Sequence, residues 1–273
     1  MFSELREEDD KAERKALARI GRYEKESRYL VKRSEESGAL EEVFDRATLM
    51  TMYRLMNAGF LSYLNGIVAA GKEARVYWGI TPEGKDVAVK IFLTLTSEFK
   101  RRLQYIEGDP RFKRIRGNTI GLIELWARKE FKNLQRAQRA GIRVPSPLVV
   151  KRNVLIMEFI GSDGKPYPVL AERAFGSDYR KVVTLAKRLY RQAGLVHADL
   201  SEYNIFKGKT ELVLFDFASA VDISHPQAQD FLIRDLNNVN RFFIKQKVSV
   251  EGVDRLFKRI TGNEIQADSK SPF

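Results

Sequence analysis

The sequence predicts an α+β fold in two lobes, a small β-rich N-terminal lobe and a mainly helical C-terminal lobe. Short β-prone runs separated by Gly-containing turns fill residues 62–93, which is the pattern of an antiparallel meander. After Gly161 the pattern changes, and helical periodicity dominates the rest of the chain. The 273 residues, of which 44% are hydrophobic, are enough to bury the core of one large domain or two lobes.

Three segments follow from these patterns. Residues 1–48 are charge-dense, and we interpret them as a helical N-terminal extension to which we assign no chemistry. Residues 49–160 form the N-lobe, which holds an amphipathic helix, the meander, a basic insertion at 94–120, one internal helix that ends at Gly141, and two more strands. Residues 161–273 form the C-lobe, with three helices and one strand pair.

Composition excludes several classes of protein. The chain has no Cys and only two His, which argues against disulfides, thiolate zinc sites and histidine-rich metal sites, so a metal would be held by oxygen. There is no run of about 18 apolar residues, and the first residues are charged where a secretory signal would be apolar. We therefore expect a cytoplasmic protein that does not bind membranes. The net charge of +12 favours polyanionic partners such as RNA or nucleotide phosphates.

The stretch LVHADLSEYNIF, at 195–206, carries the first functional motif. His197, Asp199 and Asn204 form H-x-D-L-x-x-x-N, and Asp216 follows at the end of the next strand pair. This is the spacing of the catalytic loop and the metal-binding Asp in protein kinases. The chemistry needs one carboxylate at the acceptor hydroxyl, and an amide oxygen with a second carboxylate to hold magnesium against the phosphates. We predict Asp199 and Asp216 as catalytic, Asn204 and Asp216 as metal ligands, and His197 as structural.

The N-lobe supplies the remaining parts of a nucleotide site. Lys90 lies in DVAVKIFL, a close match to the kinase strand whose Lys contacts phosphates, so we predict it as both catalytic and ATP-binding. We prefer Glu130 to Glu124 as the partner that orients Lys90. The remaining predicted ATP-binding residues are Met157, Glu158 and Ile160, at a hinge that contacts adenine, and Ala70, Gly71 and Lys72, at a phosphate loop.

From about Leu49 to Ile260 the chain resembles the RIO family of atypical serine/threonine protein kinases, specifically its type-one branch. The motifs that carry the resemblance are GKEARVY, WARKEFKNL, HADLSEYNI and DISHPQAQDFLIRDLNNVNRFF. The resemblance implies a bilobal protein-kinase-like fold whose C-lobe lacks the activation loop and substrate-binding helices. It also implies an ATP- and magnesium-dependent enzyme, with manganese as a possible substitute, that autophosphorylates on serine. The implied role is maturation of the small ribosomal subunit, with the pre-small-subunit particle and rRNA as partners and no DNA.

Two departures from the family pattern stand out. Ala70 lies ahead of the phosphate-loop Gly where the family often has a hydroxyl residue, so direct hydroxyl contact with phosphate is absent there. Ala218 replaces the Gly that kinases have two residues after the metal Asp. Because Ala resists positive φ, we expect the segment after Asp216 to flip less readily than in other kinases.

Alternative functions stay open at this stage. The insertion mixes cations with Tyr105 and Phe112, which suits RNA contact but is equally compatible with a solvated loop. If the insertion binds RNA, an alternative to the protein kinase is an RNA-binding assembly factor that uses ATP as a conformational switch. A third option is a small-molecule kinase of the aminoglycoside or choline type. Phosphate transfer to Asp216 itself, in an ATPase cycle, is a further alternative. The cations of the insertion are Lys100, Arg101, Arg102, Arg111, Lys113, Arg114 and Arg116.

Overall fold

The N-lobe is a five-stranded antiparallel sheet with one helix on each side. A computed structural model describes residues 44–93, 104–109, 111, 119–208 and 211–265 of the chain. The strands follow the order β1-β2-β3-β5-β4 across the sheet. The elements of this lobe are α1 (Arg46–Asn57), β1 (Tyr63–Ala70), β2 (Ala74–Ile80), β3 (Asp86–Phe92), α2 (Thr119–Arg139), β4 (Pro147–Lys151) and β5 (Val154–Glu158).

The two faces of the sheet bury different partners. Successive residues of a strand point to opposite faces, so Val89 and Ile91 of β3 pack in a cluster with Met52 and Leu55 of α1. Their neighbours Ala88 and Phe92 belong instead to the large core that contains α2 and the C-lobe. Lys90 lies between Val89 and Ile91 and therefore shares the face of Ala88 and Phe92, so its side chain points towards α2 and the other lobe.

The C-lobe is built from three helices around two short strand pairs, β8 with β11 and β9 with β10. Residues 217–227 alone separate Asp216 from the long helix α4, so the described chain has no room there for an activation loop and its helices. This arrangement confirms the predicted two-lobed α+β fold. The elements are the hairpin β6 (Gly161–Ser162) and β7 (Lys165–Pro166), α3 (Asp178–Ala193), β8 (Leu195–Val196), β9 (Ile205–Lys207), β10 (Leu212–Leu214), β11 (Val221–Asp222), α4 (Ala228–Lys245) and α5 (Val253–Thr261).

Two of the segment boundaries predicted from the sequence can be placed on these elements. The boundary at residue 48 lies inside α1, which begins two residues earlier after Asp45, whose side chain accepts a hydrogen bond from the Thr48 N–H. The boundary at Gly161 coincides with the start of β6. Residues 1–43 of the predicted extension lie outside the described residues.

Part of the basic insertion is built into the core between α2 and α4. Ile106 is fully buried, and the Tyr105 ring packs against Trp126 of α2 and Phe231 of α4. Nε2 of the buried His225 lies 2.9 and 2.8 Å from the carbonyl oxygens of Gln104 and Glu107. Nδ1 of this ring accepts from a backbone N–H, so the proton is assigned to Nε2. Residues 104–109 therefore connect the two lobes. Of the cations in this insertion, only Arg111 lies within the described residues.

Candidate active site

A buried cation between two carboxylates lies at the centre of the candidate site. Lys90 Nζ lies 2.9 and 2.7 Å from the two carboxylate oxygens of Glu130 on α2. It also lies 2.9 Å from Oδ1 of Asp216. The Lys90 and Glu130 side chains are 10% and 1% exposed, whereas Asp216 is 41% exposed and faces open space. Glu124, the other acid considered for this role, instead pairs with Arg152 at the surface.

The electrostatics of this cluster keep the lysine charged. Burial alone would lower the pKa of Lys90, but the attraction of Asp216 and Glu130 outweighs burial and raises the pKa above its ordinary value. A permanently charged ammonium at this position can bind anionic oxygen atoms over the whole physiological pH range. Because Asp216 is the more exposed partner, it is the contact that an anionic ligand can replace most readily.

The catalytic-loop residues lie beside this cluster. Asn204 Nδ2 donates to the backbone carbonyl of Asp199 at 2.7 Å and lies 3.2 Å from the Asp199 carboxylate. The β9–β10 hairpin starts at the residue after Asn204, and the Phe215 N–H donates to the Asn204 carbonyl at 3.1 Å. The hairpin therefore brings Asn204 next to Asp216. His197 is fully buried, with Nε2 3.0 Å from the Phe215 carbonyl, so it supports the loop from below.

Asp235 of α4 anchors the catalytic loop, and sequence reasoning gave it no role. Its carboxylate accepts from the backbone N–H groups of Ala198 and Leu200 at 2.8 and 2.9 Å, and the neighbouring Arg234 donates to the Ala198 carbonyl. Ala198 has a φ of 62°, which only a surrounding network can hold in a residue with a Cβ. Burial raises the pKa of Asp235 to about 7, against the lowering effect of the two N–H donors and Arg234. The signal in the sequence was an acid on the apolar stripe of a helix.

Lys129 and Asn133 form a polar stripe on α2 that holds the chain after Asp216. Lys129 Nζ of α2 donates to the carbonyls of Ala218 and Ala220 at 2.8 and 2.6 Å. Asn133 Nδ2 lies one turn later and donates to the carbonyls of Phe217 and Ala220 at 2.9 and 2.8 Å. The positive φ in this region, 60°, is at Asp216 and not at the Ala that replaces the kinase Gly.

The predicted hinge and phosphate loop border the two strands that pair with β3, the strand that carries Lys90. At the hinge, Arg143 holds the Glu158 carboxylate in a two-pronged pair at 2.7 and 2.5 Å, and the Glu158 N–H donates to the Ser146 carbonyl at 2.8 Å. Although burial acts to raise the pKa of Glu158, Arg143 and the Ser146 N–H lower it. The carbonyl of Ile160 accepts from the Tyr167 N–H, and Met157 is buried behind it.

The phosphate-loop residues Ala70, Gly71 and Lys72 form the tight turn from β1 into β2. The Gly71 N–H donates to the Ala74 carbonyl at 3.0 Å. Ala74 pairs with Phe92, two residues beyond Lys90 on β3, so the turn lies at the same end of the sheet as the charged cluster.

The donor set suits a magnesium ion that is held partly by phosphate. Among the described residues no three His, Cys, Asp or Glu side chains form a group that could hold a metal alone. Magnesium usually takes one or two protein oxygens and completes its shell with water and phosphate. Asp216 offers a carboxylate at the cleft, and Asn204, whose amide nitrogen bonds Asp199, has its amide oxygen to offer.

Comparison with known proteins decides the family. A family model described as "RIO domain" matches residues 75–256. The RIO-type serine/threonine-protein kinase Rio1 of Haloferax volcanii is 41% identical over 266 residues, which cover 96% of this chain and 91% of that protein. This chain belongs to the RIO family of atypical protein kinases. It is therefore a protein kinase, and the predicted resemblance is confirmed.

Other RIO proteins extend the comparison. The human serine/threonine-protein kinase RIO1 is 34% identical over 252 residues; the match covers 90% of this chain but only 44% of the human protein. A Rio2 kinase from Chaetomium thermophilum, described as an ADP/Mg²⁺-phosphoaspartate complex, superposes with a TM-score of 0.60 at 21% identity, covering 79% of this chain and 67% of that one. At this identity the structural likeness supports the fold alone. In the described residues no helix is long and apolar enough to cross a membrane.

The anchoring role of Asp235 is open to a direct test. Asp235→Asn replaces one acceptor oxygen with an N–H₂ group that faces a backbone N–H, so the catalytic loop should shift. We expect the rate constant of phosphate transfer to fall about 10- to 100-fold while the KM for ATP changes little. The measurement is steady-state transfer from labelled ATP. Asp230→Asn, an exposed acid at the start of the same helix, is the control and should retain full activity. Equal activities in the two variants would contradict the anchoring role of Asp235.

Proposed function

We propose that this kinase transfers the γ-phosphate of ATP in the cleft between the lobes, and that Lys90, Asp199, Asn204 and Asp216 carry out the transfer. The observation that carries the proposal is the buried Lys90 ammonium, held within 2.9 Å of both Glu130 and Asp216. A cation in this setting binds phosphate oxygens strongly because little water competes for it. Asp216, the more exposed partner, then exchanges Lys90 for a metal ion.

Each residue has a distinct role in this proposal. Lys90, oriented by Glu130, binds phosphate oxygens of the nucleotide. Asn204 and Asp216 would hold magnesium, which neutralises charge on the phosphates when bound. Asp199 accepts a hydrogen bond from, or deprotonates, the serine hydroxyl of the acceptor. Backbone groups at Glu158 and Ile160 hold adenine against Met157, and the turn with Ala70, Gly71 and Lys72 covers the phosphates.

Asp216 supports a second candidate reaction. Its carboxylate is half-exposed at the cleft, within 2.9 Å of the ammonium that would bind the phosphates. In this reaction a carboxylate oxygen of Asp216 attacks the γ-phosphorus, and the bond to the β–γ bridging oxygen breaks so that ADP leaves with the electron pair. Water then hydrolyses the acyl phosphate to inorganic phosphate and regenerates the carboxylate. The phosphoaspartate in the Chaetomium Rio2 complex is a precedent for such a product in a related protein.

Substitution of Asp216 tests both reactions. Asp216→Asn keeps the shape and the tolerance for positive φ but removes the charge, so phosphate transfer should fall by a factor on the order of 10² or more. Asp163→Asn is a matched control, because Asp163 also has positive φ, 51°, but lies in the exposed β6–β7 turn. The measurement is incorporation of label from γ-labelled ATP. Full activity of Asp216→Asn would contradict the proposed site.

The chemistry of the label distinguishes the two reactions in the unmodified protein. Label that survives acid is bound to a hydroxyl side chain such as serine and supports the kinase reaction. Label that is released by hydroxylamine is an acyl phosphate and supports the ATPase cycle.

We further propose that the protein autophosphorylates on serine and acts in the cytoplasm in maturation of the small ribosomal subunit, with rRNA in its precursor particle as a partner. The support is the family resemblance together with the net charge of +12. We leave Arg111 out of the insertion cations proposed to contact RNA, because its guanidinium pairs with the buried Asp109. The candidates that remain in the second half of the insertion are Lys113, Arg114 and Arg116.

A salt titration tests the RNA contact. Replacing Lys113, Arg114 and Arg116 with Ala should reduce the slope of log affinity against log salt by up to about two to three units if all three contact phosphate. Fluorescence anisotropy of a small-subunit rRNA fragment gives the slope. The control variant has Arg180, Lys181 and Arg255 on the exposed C-lobe surface changed to Ala, so it loses the same charge. This control should keep the wild-type slope. If both variants lose the same slope, the contact is not specific to the insertion.

A further inference from the structure

Two buried polar side chains of α2 hold the backbone that follows Asp216. Lys129 and Asn133 are both 0% exposed, and together they donate four hydrogen bonds to three carbonyls, those of Phe217, Ala218 and Ala220. These three residues are themselves buried and lie between β10 and β11, outside any strand pair. A buried carbonyl without a donor costs about 1–3 kcal/mol. The Phe217 carbonyl also accepts from the Ala220 N–H at 3.2 Å, and the donors of the Ala218 and Ala220 carbonyls come from α2.

This contact constrains the carboxylate of Asp216. Asp216 has a φ of 60°, a conformation that a residue with a Cβ keeps only when its surroundings hold it. Lys90 holds its side chain, and the donors on α2 hold the peptides that follow. Glu130 precedes Asn133 by one helical turn, so the same rigid helix sets both the ion pair of Lys90 and the path of the chain after Asp216.

Arg111 of the insertion determines how Asn133 is oriented. Its Nη1 donates to Asn133 Oδ1 at 2.8 Å, which leaves Nδ2 to face the two carbonyls. The guanidinium is fixed in turn by Asp109, which is 3% exposed and accepts from Nε at 2.9 Å and from Nη2 at 2.7 Å. If the amide flipped, its oxygen would face two carbonyl oxygens, and its NH₂ would face the guanidinium.

Lys129 lies in a less favourable electrostatic setting. Burial lowers the pKa of Lys129 to about 7, opposed by Asp109 and Glu130 and reinforced by Arg111. A neutral amine still donates to both carbonyls, whereas Asn133 carries no charge at any pH. Asn133 is therefore the cleaner residue on which to test the function of the stripe.

We propose that Asn133 and Arg111 are positioning residues for phosphate transfer: Arg111 orients the Asn133 amide, and the amide holds the peptides after Asp216 so that its carboxylate stays in place for the metal ion. This inference rests on the proposed metal role of Asp216. It assigns a function inside the kinase to one cation of the basic insertion.

The test compares Asn133→Leu and Arg111→Met with controls on the exposed face of α2, Gln138→Leu and Arg128→Met. The first readout is hydrogen exchange of the peptide spanning 217–222 in protein without nucleotide or metal, which should speed up about 10-fold or more in both test variants and in neither control. The second is the Mg²⁺ concentration that gives half-maximal activity, which should rise about 10- to 100-fold. The KM for ATP should change less than about two-fold, because neither side chain belongs to the proposed nucleotide contacts.

A double variant tests whether the two residues form one unit. If Arg111 acts through Asn133, the change of both residues should cost no more than Asn133→Leu alone, because the effects of coupled residues do not add. If the effects of Asn133→Leu and Arg111→Met on exchange and on the Mg²⁺ requirement add fully, Arg111 does not act through Asn133. Unchanged exchange at 217–222 together with an unchanged Mg²⁺ requirement would overturn the positioning role.

Two further comparisons keep the outcome interpretable. If Asn133→Leu does not fold, Arg111→Met combined with Asp109→Asn decides the question, because this pair of changes removes the donor to Asn133 without leaving the buried Asp109 charge unpaired. Asp216→Asn separates this inference from the proposed function. Loss of activity in Asp216→Asn, with wild-type behaviour in Asn133→Leu and Arg111→Met, contradicts the positioning role alone, whereas full activity in Asp216→Asn contradicts the proposed site.

Discussion

The rest of the site depends on the burial of one positive charge. An isolated ammonium in a protein interior costs several kcal/mol, so the fold must bring acidic partners to Lys90. Glu130 comes from a helix of the same lobe, and Asp216 comes from the other lobe. The ion pairs therefore position α2 against the sheet and bring the two lobes together around the cleft. The arrangement also leaves Asp216 as the more exposed of the two carboxylates, 41% against 1% for Glu130.

A second constraint follows from irregular backbone in a buried place. The loop that carries Asp199 and the segment after Asp216 are outside strands for most of their length, yet Ala198, Phe217 and Ala220 are fully buried. Buried N–H and C=O groups must find partners, and here they find them on helix side chains. Asp235 and Arg234 of α4 serve the first segment, and Lys129 and Asn133 of α2 serve the second. Side chains of two helices therefore hold both segments, in addition to bonds within the segments such as that from the Ala220 N–H to the Phe217 carbonyl.

The sequence predicts the parts of this molecule whose signals are local. Short β-prone runs predict β1 to β5, and Gly141 follows the end of α2 as expected. Kinase motif spacing singles out the residues that the structure brings together around Lys90 and Asn204. The roles of Asp235 and Asn133 could not be predicted in the same way. A polar residue on an apolar stripe indicates burial, but its partner depends on the path of a distant irregular segment. The insertion was interpreted from its charge as an RNA contact or a solvated loop. That charge gives no indication that Tyr105, Ile106 and Asp109 pack into the core.

We propose that Asp216 exchanges Lys90 for a metal ion when nucleotide binds. A crystal structure with a non-hydrolysable ATP analogue and Mn²⁺ tests it most directly, because the anomalous signal of manganese locates the metal. The account predicts a peak at about metal–oxygen bonding distance, near 2.1 Å, from Asp216 and Asn204. Lys90 should still contact Glu130 and should lie against the nucleotide phosphates. A metal peak bound elsewhere, or a nucleotide complex in which Asp216 remains paired only with Lys90, would contradict the account.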